Sequence, residues 1–380
     1  MTLDDGGDGL KAMAAAFDLP GPVASVEPLG SGNVNDTYQV STEGSPGRRY
    51  VLQRLNQRVF RRPDLVMANI LTIGEHVGKR LARACPVRGE RRWELPQVVR
   101  ARRDGRAWVE RGDEFWRLLT FVEAARSFDV VASADQAREV GYGLGLFHHL
   151  ISDLPPERLA DTLEGFHVTP SYLAHYDAVL ASAAGVTGTD VHHCRAFVED
   201  RRDFAPVLEQ ARARGLLVPR PIHGDPKVSN VMLDVHTGLA VALVDLDTVK
   251  PGLIHYDIGD CLRSCCNPAG EETSDLDSVR FDLERCRQVL GGYLAAAAGF
   301  LTDADYDHLQ SAIRLISFEL GLRFFTDHLA GDVYFRADHP GHNLQRAMVQ
   351  FRLTRSIEAQ ERQIAALIAD LRAHHSPACR

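Results

Sequence analysis

Ile222-His223-Gly224-Asp225-Pro226-Lys227-Val228-Ser229-Asn230, followed by Val244-Asp245-Leu246-Asp247, is the stretch on which the fold turns. It reads His-x-Asp, then Asn five residues after the Asp, then a second acid at the end of an apolar run. Leu216-Leu217-Val218 and Pro221-Ile222 lead in as a short apolar segment. Val231-Met232-Leu233-Asp234 reads as a strand, Val235-His236-Thr237-Gly238 as its turn, and 239–244 as a fully apolar second strand. Such a hairpin carries Asn230 at its start and Asp245 at its finish, at one end, close enough to share a metal ion. A lone Asp-Pro, or a lone Asp after an apolar strand, is usually a turn or a helix cap. Four elements in this order are not.

The same spacing marks the catalytic loop of protein kinases and the acid on the hairpin that follows it. Phosphoryl transfer needs one carboxylate at the incoming hydroxyl, and a carboxamide with a second carboxylate on the Mg²⁺ that bridges the phosphates of ATP. Asp225 takes the first role; Asn230 and Asp245 take the metal. His223 is expected to brace the loop backbone. Lys227 either meets the transferred phosphate or is a surface lysine, and Asp247 either supports the metal ligands or caps a loop.

Bulk properties narrow the field. The 380 residues are 45% hydrophobic and 25% charged, enough for a sizeable core. A net charge of -8 and a pI near 6.1 speak against nucleic acid or anionic membrane as partner. No apolar run approaches a membrane span, and the acidic, Gly-rich start lacks the pattern of a signal peptide, so a cytoplasmic location is expected. Seven cysteines, unevenly spread and without Cys-x-x-Cys pairs, form neither a disulfide framework nor a zinc ribbon. Cys261 and Cys265, one helical turn apart, read as small buried hydrophobes.

Upstream, the pattern is that of strands. Gly30-Ser31-Gly32-Asn33-Val34-Asn35 is a small-residue loop whose backbone amides can approach phosphate oxygens, with Asn35 where a third glycine might stand. The strand 48–55 follows. A kinase lobe places its phosphate-gripping lysine there; this chain has none, so Gln53 or Arg54 must substitute, and alternation puts the two on opposite faces. A helix over 64–83 carries Glu75, a candidate partner for the strand cation or a solvated acid. Strands at 96–100, 108–110 and 115–122 complete a meander, with a turn at Asp104-Gly105. Backbone groups at Phe121 and Glu123 are placed by chain order to read an adenine edge, and Glu123-Ala124-Ala125-Arg126 is a hinge. The expected division is therefore a nucleotide-binding lobe over 1–122 and a catalytic, acceptor-binding lobe over 123–380.

Downstream the period is helical. Ser133 or Asp135 caps a helix whose stripe includes His148, read as a satisfied core histidine. Further helices are expected over 170–184, 191–214, 276–299, 304–330 and 342–374. Asp257 is placed to cap the helix that opens at 256–260. Arg323 lies at the edge of an apolar stripe (Ile313, Ile316, Leu320, Phe324), where an i,i+4 ion pair with Asp327 is the plain alternative to a binding role. The whole is an α+β plan, a small antiparallel-sheet lobe and a larger, mostly helical lobe that carries the hairpin.

The His223-to-Asn230 and Val244-to-Asp247 segments resemble the aminoglycoside phosphotransferase superfamily, relatives of protein kinases that act on small molecules. Four stretches are similar, more narrowly, to N-acetylhexosamine 1-kinases. They are Gly30 to Tyr38, Tyr50 to Asn56, Asp245 to Gly252, and Arg323 to Leu329 with Gly331 to Phe335 and His342-Asn343-Leu344. The resemblance implies a kinase-like two-lobed fold and ATP- and Mg²⁺-dependent transfer to the anomeric hydroxyl of N-acetylglucosamine or N-acetylgalactosamine; a monomer is the separate expectation for its assembly. It implies Asp225 as base, Asn230 and Asp245 as metal ligands, and Arg323 and Tyr334 as sugar contacts. Asn33 departs from it, standing where the hexosamine kinases have His, and bears on acceptor preference if that position touches sugar. Two rivals stay open. One is a kinase of another acceptor (choline-type amino alcohol, homoserine or aminoglycoside); for the polycationic aminoglycosides, Glu271-Glu272 and Asp275 with Asp277 either supply an acidic cleft or form a solvated loop. The other is a non-catalytic nucleotide-binding module, which the missing strand lysine favours.

Overall fold

The computed structural model describes residues 7–30, 34–44, 47–83, 91–182 and 185–375. Strands Val23–Pro28, Asp36–Thr42, Arg49–Arg54, Glu114–Thr120 and Val98–Val99 lie side by side in that order, all antiparallel, with Val109–Arg111 also paired to Glu114–Thr120. Alternation sorts this sheet into two faces. Val40, Leu52, Trp116 and Leu118 pack with Leu10 and Met13 of the helix Gly7–Ala14, a small core of their own. Gln53 and Arg117 are cross-strand partners of the opposite parity and face the other lobe. Arg54 shares the parity of Leu52. It therefore points outward, to Asp36 and Glu114.

The second lobe is helical, and its core is continuous with the helix Pro63–Arg83. Helix Ala134–Ile151 starts at Ser133, whose hydroxyl accepts from the Gln136 N–H at 3.2 Å. It packs against Leu283–Ala297 at a distance only glycine allows: a Cβ at Gly141 would lie 1.9 Å from the Val289 carbonyl, and one at Gly292 would lie 2.0 Å from that of Arg138. Helix Asp303–Leu329, closed at its start by a Thr302/Asp305 capping box, runs through this lobe against Ile254–Cys265 and His342–Ala359. Two small sheets present the site. Val231–Asp234 pairs with Ala240–Leu243 and also with Ala125–Arg126, so the segment read as a hinge is an edge strand of the hairpin. Arg220–Ile222 pairs with Lys250–Gly252 and thereby joins the entry to the His223 loop to the exit of the Asp245 segment.

The α+β expectation holds, with local corrections. The helix expected over 191–214 is broken into Thr189–Glu199, a short turn at Arg202–Phe204 and Val207–Ala213. Asp200 caps the end of the first helix, and Pro206 caps the start of the last. The expected 276–299 helix begins at Leu283 on an Asp282 cap, and the expected 342–374 helix divides at Gln360 into His342–Ala359 and Glu361–His375. That break lets Ile364, Leu367, Ile368 and Leu371 join the core. Cys194, Cys261, Cys265, Cys266 and Cys286 are buried free thiols, small apolar groups in packing terms. Among the described residues, no helix is long and apolar enough to cross a membrane.

Candidate active site

The hairpin delivers Asn230 and Asp245 to one end. The Val244 N–H donates to the Asn230 carbonyl at 2.9 Å, which sets the residues that begin and end the hairpin side by side. The Asn230 amide donates to the Asp225 carbonyl at 2.7 Å and lies 3.3 Å from Asp225 Oδ2. Asp245 adopts a left-handed conformation (φ 65°, ψ 59°), uncommon for a residue with a Cβ, which turns its carboxylate out of the strand direction. The three residues that the spacing singled out are thus assembled in one place.

Their electrostatics define what the place can hold. The Asp245 carboxyl keeps a face open to solvent, yet crowding by protein, then the charges of Asp247 and Asp225, push it up to about 7. Lys227 and Arg117 act the other way without cancelling the effect. This is an excess of negative charge that a cation relieves. A carboxylate and a carboxamide at one point, short of a full protein cage, fit Mg²⁺, which keeps waters and phosphate oxygens as its remaining ligands. Asp225 behaves differently. Burial would raise its carboxyl, but the charge and hydrogen bond of Lys227 at 3.0 Å, with His223 and Arg263 behind, hold it below the usual range. Its ionised form is the favoured one.

The loop itself is braced by Asp257. Its carboxylate takes the His223 and Gly224 N–H groups at 2.6 and 2.8 Å, and His148 Nε2 at 2.8 Å; His148 in turn meets the Tyr293 hydroxyl at 3.0 Å. Asp257 was expected to cap its own helix. Instead Leu253 occupies the cap position, and Asp257, inside the first turn, serves the loop. His148 is the core histidine expected. His223 donates Nε2–H to the Val244 carbonyl at 3.0 Å and accepts the Asp225 N–H on Nδ1 at 3.2 Å, tying loop to hairpin. Gly224 sits at φ 90°, and a Cβ there would lie 2.6 Å from the Thr248 carbonyl, so no other residue fits without moving the loop.

The nucleotide side differs from expectation in its cations. Arg54 is committed to Asp36 and Glu114. Arg117, 1% exposed, reaches the hairpin instead: Nη1 lies 2.5 Å from Asp247 Oδ1, and Nε and Nη2 donate to Gln53 at 2.9 and 2.7 Å. Asn35, expected beside phosphate, donates to Asp247 Oδ2 at 2.7 Å and accepts the Asn56 N–H at 3.0 Å. Asp247 is therefore a link between lobes, not a loop cap. Gly30 has the positive φ of a tight turn, 70°; Ser31, Gly32 and Asn33 lie outside the described residues. At the end of the sheet, the Phe121 N–H points to the Arg49 carbonyl at 3.4 Å, and the Arg49 guanidinium covers the Phe121 ring at 4.2 Å while pairing with the Glu123 carboxylate. The Glu123 carbonyl accepts from Arg92, which leaves its second lone pair for another donor. Glu75 pairs with Lys79 on the solvated side.

Arg323, expected to meet the acceptor, is set among aromatic rings. Its guanidinium lies 5.0 to 5.3 Å from the ring centres of Phe166, Tyr172 and Phe335, and among the described residues no carboxylate comes within 4.0 Å of it. Burial alone would depress its pKa, but the Tyr172 and Tyr334 phenols and the charges of Glu319 and Asp225 hold it above the usual value. The expected alternative, an ion pair with Asp327, is not formed. Asp327 accepts the N–H groups of Val333, Tyr334 and Phe335 at 2.8 to 3.0 Å and folds that loop back beside Arg323. Tyr334 itself is 57% exposed. Of the four acids considered for a polycation, Glu271 pairs with Arg263 and Glu272 with Arg346 and His342, whereas Asp275 accepts the Asp277 N–H and Asp277 is exposed, 3.8 Å from Arg352.

A profile of the phosphotransferase enzyme family (APH) matches residues 25–305. Similar solved structures include a microcompartment-associated aminopropanol kinase, 17% identical, covering 94% of this chain and 98% of that one, with a TM-score of 0.61. An aminoglycoside phosphotransferase from Alicyclobacillus acidocaldarius is 17% identical over 99% and 97% of the two chains, TM-score 0.56. A spectinomycin phosphotransferase, solved with ADP and spectinomycin, is 9% identical over 96% and 100%, TM-score 0.59. At such identities the likeness is one of fold.

Proposed function

Given that this chain belongs to the APH family of phosphotransferase enzymes, we propose that it transfers the γ-phosphoryl group of ATP to the anomeric hydroxyl of an N-acetylhexosamine. The reading rests on one observation above the others: a guanidinium without a carboxylate partner, Arg323, set among aromatic rings on the acceptor side of Asp225. Arg263 and Lys227 also respond to the Asp225 charge, but each is paired, Arg263 with Asp260 and Glu271 and Lys227 with Asp225. A site with an unpartnered guanidinium disfavours an ammonium group beside it, which counts against choline-type and aminoglycoside substrates. It suits a neutral acceptor that offers carbonyl and hydroxyl oxygens and an apolar ring face.

The residues divide the work as follows. Asn230 and Asp245 would hold Mg²⁺, which supplies charge neutralisation on the phosphates. Asp225, kept ionised by Lys227, accepts the proton of the attacking hydroxyl as that oxygen bonds to the γ-phosphorus and the bond to the ADP oxygen breaks. A loose transition state asks alignment of this carboxylate more than basicity. Lys227, between Asp225 and Asp245, is placed to follow charge moving onto the transferred group. Arg323 and the Tyr334 loop would orient the acceptor.

The same guanidinium favours a second reading, a kinase of a hydroxylated acceptor that bears a carboxylate, homoserine for instance. A panel of N-acetylglucosamine, N-acetylgalactosamine, homoserine, choline and kanamycin, with ATP and Mg²⁺, separates the readings by ADP release. Acid-labile phosphate in the product identifies the anomeric position. Release with choline or kanamycin alone sinks both.

A further inference from the structure

The peptide joining Gly224 to Asp225 is held at both polar atoms, by histidines of opposite sense. Its N–H donates to His223 Nδ1 at 3.2 Å, and its carbonyl lies 2.8 Å from His167 Nε2. His167 Nδ1 is 2.8 Å from Glu319 Oε1. With Glu319 ionised, the carbonyl and the carboxylate can only accept, so both nitrogens of His167 donate and the ring is an imidazolium. Burial works against that charge, but Glu319, then Asp260 and the Gly224 carbonyl, hold the His167 pKa above its ordinary value. The pair is enclosed, with His167 4% and Glu319 1% exposed, and Glu319 Oε2 takes the Thr169 hydroxyl at 2.6 Å.

Two further facts point to placement over simple packing. His167 sits at φ 64°, a conformation that a residue with a Cβ adopts when surrounding contacts impose it. Glu319 precedes Arg323 by one helical turn on Asp303–Leu329, so both project from one face. A continuous line of contacts thus runs from the peptide of Asp225, through His167 and Glu319, to the helix that carries Arg323.

We propose that His167 and Glu319 are a positioning pair that fixes the register between Asp225 and an acceptor anchored at Arg323. The γ-phosphoryl group then bonds to the acceptor oxygen, whose proton passes to Asp225, and not to water, which would give inorganic phosphate and ADP. This rests on the role proposed for Asp225 above.

The test measures ATP consumed per acceptor phosphorylated, with kcat and both KM values, for His167→Leu, His167→Asn and Glu319→Gln. N-acetylglucosamine is the acceptor, or homoserine if the sugar gives no transfer. Because it is a ratio, a partly folded preparation still reports it. His167→Leu and Glu319→Gln are expected to raise the ratio about tenfold and to lower kcat by about ten- to a hundredfold, with the KM for ATP within about twofold. His167→Asn restores most of the coupling, since Asn tolerates positive φ and its amide can donate to the Gly224 carbonyl. If His167→Leu does not fold, Glu319→Gln carries the test. An unchanged ratio and kcat with only a lower melting temperature would overturn the proposal. Asp225→Asn, run alongside, separates the two claims: near-normal turnover there removes the base, whereas an inactive Asp225→Asn with fully coupled His167 and Glu319 variants removes only the positioning pair.

Discussion

Gln53 and Arg117 are cross-strand partners, and the Gln53 side-chain carbonyl accepts both Nε and Nη2 of Arg117, at 2.9 and 2.7 Å. This fork aims Nη1 at Asp247, two residues beyond the candidate metal ligand. The glutamine on the strand where a lysine was sought does not replace it. It orients a cation supplied by the neighbouring strand.

Both groups of the Arg117–Asp247 pair are 1% exposed at the side chain. Removing one partner of a buried pair leaves an uncompensated charge, at a cost of about 3–5 kcal/mol. Arg117→Met is expected to lower unfolding free energy by that order in urea titrations, and adding Asp247→Asn should recover a large part. A double variant no more stable than Arg117→Met would show that the two are not energetically coupled.

Asp225→Asn should depress kcat by about 10²- to 10⁴-fold, the usual range for a lost general base, with nucleotide affinity by calorimetry little changed. The carboxamide preserves the shape and removes proton acceptance. Turnover within a few-fold of the unaltered enzyme rules out the assignment.

Arg323→Gln should raise the acceptor KM about ten- to a hundredfold while the KM for ATP stays put, since a hydrogen bond to a charged group is worth about 1.5–3 kcal/mol. Steady-state kinetics with each substrate varied in turn reads this directly. An effect confined to ATP would place Arg323 on the wrong side of the cleft.

Asp257 predicts a pH dependence of stability. Burial would raise its carboxyl, but the hydrogen bond and charge of His148, with His223 and its amide, hold it below the ordinary value. A carboxylate depressed in the folded state stabilises fully above its unfolded pKa, about 3.9, and that contribution is lost as pH falls through the lower folded value. The stability gap between the unaltered protein and Asp257→Ala should therefore be widest near neutrality and narrow on acidification to about pH 3. A gap independent of pH in urea unfolding contradicts this account.

The sequence by itself determined the order of events along the chain. The short apolar segment before Asp225, the hairpin between Asn230 and Asp245 and the helical remainder are local patterns, and the α+β plan with its three clustered oxygen donors follows from them. It also contained an unread signal: Arg117 is a charge inside the apolar strand Phe115-Trp116-Arg117-Leu118-Leu119, and such a charge needs a buried partner. What only the tertiary structure decided are the long-range partnerships. The face on which Arg54 falls depends on which side of the sheet the Gly7–Ala14 helix covers. Asn35 finds Asp247 across 212 residues, and His167 finds Glu319 across 152. Asp257 turns from cap to brace because the loop lies above it. Backbone periodicity is a property of neighbours in sequence. The partner of a buried charge is chosen by packing, after distant segments have met.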